Sequence, residues 1–135
     1  MEIYNVPGKL TVTWEASVRA VVDTWTDYEV TVDEFKTAVL DKGIGYAKAN
    51  DGQAWIVDSR KAVGNFSGEC QDFIDSDIFP VFAAAGIKYF ITIKAENPLT
   101  NLTVRSYQAK TDSHGLELVE VASVEDAVEW LKENA

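Results

Sequence analysis

The stretch QAWIVDSRKAVGNFSGEC, residues 53–70, decides how the rest of the chain is read. It opens with an apolar run, Ala54-Trp55-Ile56-Val57, that stops at Asp58-Ser59-Arg60. The run shows little polar alternation, which predicts a strand covered on both faces. A strand of that kind belongs in the middle of an α/β sheet, between helices. Ser67 then reads as an N-cap with Glu69 in the first turn behind it. Asp58, Ser59 and Arg60 therefore stand at the carboxyl end of a central strand, the edge where open α/β sheets take their ligands.

Working backwards, residues 31–50 carry a helix. Thr31-Val32-Asp33-Glu34 is a capping box, in which the Thr hydroxyl and the Glu carboxylate each satisfy a backbone N–H of the other. Phe35, Ala38, Val39, Tyr46 and Ala47 follow at helical spacing. Gly43 and Gly45 weaken the later turns by about 1 kcal/mol each relative to Ala, and Asn50-Asp51-Gly52 ends the element. Before Thr31 the period changes to two. Ile3, Tyr4 and Val6 precede a Pro7-Gly8 turn, Leu10, Val12 and Trp14 alternate with Thr11 and Thr13, and VRAVVDTW (residues 18–25) is a third extended run. These three predict an antiparallel meander.

Working forwards, Cys70, Phe73, Ile74, Ile78, Val81, Phe82 and Ala85 share one helical face, with Pro80 expected to kink that helix and Gly86 to stop it. IKYFITIKA, residues 87–95, is the clearest strand of the chain. Residues 98–113 fit a helix, because two parallel strands need a crossover between them. Residues 116–121 form the last strand, and Ser123-Val124-Glu125-Asp126 caps a last helix that turns Val124, Ala127, Val128 and Leu131 inward. The predicted order is β-β-β-α-β-α-β-α-β-α. It describes one α/β domain over residues 1–135, an antiparallel meander continuing into a mostly parallel mixed sheet with about four helices.

Composition narrows the function classes. The 135 residues include 22 acids and 12 bases, a net charge of −10. A field of that sign repels phosphate-rich partners, so nucleic acid and anionic membranes are disfavoured. No apolar run approaches the roughly 18 residues of a membrane span. The N-terminal residues lack the pattern of a secretory signal, and the Asn65 and Asn101 sequons read as chance. Cys70 and His114 are the only residues of their kinds, so no intrachain disulfide can form, and zinc sites of Cys and His cannot be assembled within one chain. A single cysteine fits a reducing cytoplasm. No glycine-rich phosphate loop is present, and no cofactor is implied.

The chain resembles the STAS-like family, the small bacterial anti-sigma-factor antagonists and their relatives, which shares an overall plan with the CRAL-TRIO lipid carriers. The matching features are Trp25 on the third strand, the Asp58-Ser59-Arg60 triplet, the Phe79-Pro80 step, and the closing run Asp126-Ala127-Val128-Glu129-Trp130-Leu131. They are short and scattered over nearly the whole chain. The resemblance implies a cytoplasmic, non-enzymatic module that acts by protein contact, with another protein or as a homodimer. It also implies a second reading, a carrier or sensor of a small apolar, lipid-like ligand. In the antagonists a Ser in Asp-Ser-Gly context at a helix start is phosphorylated, which makes Ser59 the matching phosphosite. Here Arg60 replaces the Gly, and about seven residues separate Ser59 from the helix start expected near Ser67, where a dipole would favour a phosphate.

The candidate site is therefore Asp58, Ser59 and Arg60, with Glu96 and Asn97 after the neighbouring strand. Asp58 and Glu96 are the pair from which acid–base chemistry could be built. The plainer reading makes Asp58 and Arg60 a local ion pair and Glu96-Asn97 a turn before Pro98.

Overall fold

The computed structural model describes residues 2–58, 60–62, 68–73, 79–93 and 117–134. Six strands form one sheet in chain order: β1 (Glu2–Val6), β2 (Leu10–Glu15), β3 (Ala20–Trp25), β4 (Ala54–Asp58), β5 (Tyr89–Ile93) and β6 (Glu117–Val121). The first three pair antiparallel, and β3 through β6 pair parallel. This is the predicted α/β architecture, a meander that continues into a parallel sheet.

The β1–β2 turn uses Gly8 at φ 75°, a conformation open to glycine because it has no Cβ. Between β3 and β4 runs a helical stretch: α1 (Val32–Lys36), a π-helical segment (Thr37–Ile44) and α2 (Gly45–Ala49). The capping box is formed as read, with the Thr31 N–H donating to Glu34 Oε1 at 2.9 Å and the Glu34 N–H to Thr31 Oγ1 at 3.1 Å. The π-helical middle departs from the regular helix expected there. Val39 and Ile44 are both buried while Asp41 and Lys42 between them are exposed. That five-residue interval is the repeat of a π turn, so the wider turn carries both apolar side chains to the sheet.

Gly43 lies where the helical wall meets β4. A Cβ built on it would stand 2.5 Å from Cη2 of Trp55. The glycine read as a weakness of the helix is thus what lets the helix approach the indole.

Two further helical segments, α3 (Gly68–Phe73) and α4 (Phe79–Ala84), lie in sequence between β4 and β5. Pro80 falls in the first turn of α4, where the missing N–H removes no intrahelical bond. Ser67 and the stretch joining α3 to α4 lie outside the described residues, as does the helix expected over 98–113. The last helix, α5 (Val124–Asn134), is capped by Ser123, whose Oγ accepts from the Asp126 N–H at 3.1 Å.

The sheet carries a core on each face. One holds Val21, Trp25, Trp55, Val57 and Phe90 of the strands against Phe35, Val39, Ile44 and Phe82 of the helices. Here Trp55 stacks on Phe82 at 4.6 Å between ring centroids, worth about 0.5–1.5 kcal/mol beyond the area buried. The other holds Ala20, Val22, Ala54, Ile56, Ile91 and Ile93 against Ala127 and Leu131 of α5. Every residue of β4 is buried, as the quoted run predicts for a strand between two layers.

Candidate functional site

Parallel pairing brings the carboxyl ends of the later strands side by side. Asp58 on β4 lies opposite Thr24 of β3 and Ile93 of β5. The Asp58 side chain is 7% exposed and that of Arg60 is 41% exposed. The guanidinium grips the carboxylate with two bonds, Nε to Oδ1 at 3.1 Å and Nη2 to Oδ2 at 3.0 Å. The Arg60 backbone N–H also donates to Oδ1 at 3.1 Å, the Asx pattern by which an aspartate fixes its own turn. Asp58 is therefore held by charge and backbone at once, and the plainer reading of a local ion pair describes the contact. The pair still borders a cavity of about 140 Å3 with Thr24, Trp25, Thr26 and Lys61.

Of the other candidates, Ser59, Glu96 and Asn97 lie outside the described residues, and so does His114. Cys70 lies on α3. Among the described residues no group of three or more His, Cys, Asp or Glu could hold a metal ion, and no helix is long and apolar enough to cross a membrane.

The opposite, amino end of the sheet holds a second cavity of about 220 Å3 bordered by Arg19, Asp51, Gln53 and Lys88. Its polar groups are engaged in holding the turn before β3 to the start of β4. Arg19 donates to the Asp51 carbonyl and to Gln53 Oε1, both at 3.2 Å, and Gln53 Nε2 donates to the Val18 carbonyl at 2.9 Å.

The sequence reading missed one residue with unusual chemistry, Asp23. It lies on β3 opposite Val12 of β2 and Val57 of β4, and it is 3% exposed. The Trp55 indole N–H donates to Oδ2 at 2.9 Å. Oδ1 accepts no regular hydrogen bond among the described residues. Burial pushes the carboxyl up from 3.8 to about 7, against the pull of the Trp55 and then the Trp25 indole, which favour the charged form. A signal was present: a lone acid inside VRAVVDTW, at the alternation that places it with Val21 and Trp25 on the helix-covered face.

No protein-family model matches the chain, and no significant match was found among curated proteins or solved structures.

Proposed function

We propose that the chain is a STAS-like, non-enzymatic module of the cytoplasm that acts by docking a protein, another chain or a second copy of itself, at the carboxyl rim of its parallel strands. The observation that carries this reading is the rim cavity of about 140 Å3 beside the Asp58–Arg60 pair. Ligand pockets for small molecules run to roughly 300–1,000 Å3. The rim cavity takes a group of the size of one amino-acid side chain. The Asp58–Arg60 pair gives it a preorganised polar wall, and the Trp25 ring gives it an apolar one. The scattered family likeness supports the same reading, as does the net charge of −10, which disfavours phosphate-rich partners. The lipid-carrier reading needs a larger apolar chamber than the described residues of this rim enclose.

The test is affinity capture and sedimentation with the wild-type chain and the rim variant Thr26→Arg/Lys61→Glu. The expected result is a protein, or a self-association, retained by the wild type and weakened about tenfold or more in the variant, a difference of about 1.4 kcal/mol. A wild-type chain that sediments as a monomer and retains nothing the variant does not would overturn the reading. Native mass spectrometry that finds a lipid-sized molecule bound would replace it with the carrier.

A further inference from the structure

We infer that Asp23 is a proton-binding site built into the fold, and that through Trp25 it sets the shape of the carboxyl rim according to the acidity of the medium. The inference does not depend on what docks at the rim. An ionised carboxylate offers about four acceptor positions. In its buried place Asp23 meets one regular donor, Trp55 Nε1, at 2.9 Å, while Oδ1 accepts none among the described residues. A buried charge so poorly served favours the neutral acid.

Among the described residues no cation is placed to offset that preference. On the helical stretch packed over this face, Glu34 turns back to its own cap, Lys36 lies over the Phe73 ring at 4.8 Å and Lys42 over the Tyr4 ring at 5.9 Å. Asp33 and Asp41 are exposed. The sequence of α4, Phe79–Ala84, contains no charged residue. On the flanking strands Glu15 of β2 accepts from Ser17, and Asp58 of β4 belongs to the other alternation of its strand and is paired with Arg60. Among the described residues, burial and the two indoles set where Asp23 titrates, about 7.

The direction of the pH effect follows. Below the ordinary carboxylate range both folded and unfolded chains hold the proton. As pH rises through about 4 the unfolded chain releases it while the folded chain keeps it, so stability falls until the folded group also ionises near 7 and then levels. Around neutrality the folded protein is thus divided between two charge forms. Ionisation makes the Trp55 N–H bond charge-assisted, hence shorter and stronger, and favours a closer approach of the Trp25 indole, whose Nε1 makes no regular hydrogen bond to the acid. Trp25 is the residue common to both places, since it acts on Asp23 and also lines the rim cavity with Asp58, Arg60 and Lys61. Its ring packs on Tyr28 at 4.8 Å and on Phe35 at 6.1 Å, so a shift of the indole moves the wall of the cavity.

The experiment is a carbon and amide NMR titration from pH 4 to pH 9 in a His114→Gln background, which removes the only histidine. The expected result is a carboxyl-carbon midpoint for Asp23 near 7, with the amides of Thr26, Arg60 and Lys61 following that midpoint. The amides of Arg19 and Gln53, at the far end of the sheet, stay still. In Asp23→Asn the rim amides lose that transition. If this variant does not fold, the wild-type midpoints decide alone. An Asp23 midpoint near 4, or rim amides that ignore the Asp23 transition, would overturn the inference.

Discussion

Asp23 and Asp58 sit on neighbouring strands, both nearly sealed from solvent, and their surroundings make them opposites. Asp58 closes its strand where the chain turns, so an arginine two residues later can fold back and hold both carboxylate oxygens. Asp23 lies inside its strand, flanked by Val22 and Thr24 and facing indoles and a helix wall. One acid keeps a counter-ion; burial disposes the other to hold its proton until about pH 7. Depth alone does not decide the state of a buried carboxyl. What decides it is whether the local chain geometry can deliver a cation before the core closes.

The largest expected effect isolates the proton. Raising pH from 5 to 8 should lower the urea-derived stability of the wild type by about 3 kcal/mol through Asp23, given a folded value of about 7 against 3.8. Asp23→Asn should be nearly flat over that interval. A wild-type profile as flat as the variant's would remove the contrast between the two acids.

Trp55→Phe should cost about 3 kcal/mol, from lost ring volume and the lost indole donor. The loss should be greater at pH 8 than at pH 5, because only the ionised acid calls strongly on that donor. Equal losses at both values would mean that Asp23 keeps one charge form throughout that interval.

Gly43→Ala follows at about 2 kcal/mol, since the added methyl meets the Trp55 ring at 2.5 Å. Alanine's better helix propensity offsets part of that strain. Indole fluorescence should change with it, while the Arg60 amide signal stays in place.

The smallest effect belongs to the rim. Arg60→Ala should cost about 1 kcal/mol, because the guanidinium is 41% exposed and water screens the pair. The backbone donor to Asp58 survives that change. A loss above about 3 kcal/mol, the figure for breaking a fully buried pair, would show that Asp58 is as dependent on its partner as an interior charge.

The elements legible in the sequence were those whose signals are local. The Thr31 capping box, the alternation of Leu10, Val12 and Trp14, and the all-apolar run of β4 each follow from neighbours in the chain. The π-helical middle was not legible, because it answers to packing on the sheet, where Gly43 meets Trp55, a dozen residues away and on another element. Asp58 and Arg60 were found through their place at a strand end, and their grip on each other was visible as two charges separated by one residue. Asp23 was missed for the reverse reason. Its character arises from Trp55, 32 positions later, and a helix laid over it, and neither is written in VRAVVDTW itself.

The strand order has a bearing on synthesis. Since each described strand after the first pairs with the one before it in the sequence, a chain emerging from the ribosome can add each of them to a sheet already begun. The meander can close first, with Asp23 on its open edge as an ordinary acid in water. Only when residue 55 has emerged and β4 has docked does the carboxyl acquire its indole donor and lose its solvent. Taking up a proton at position 23 would then mark the moment at which the nascent meander becomes a layered protein.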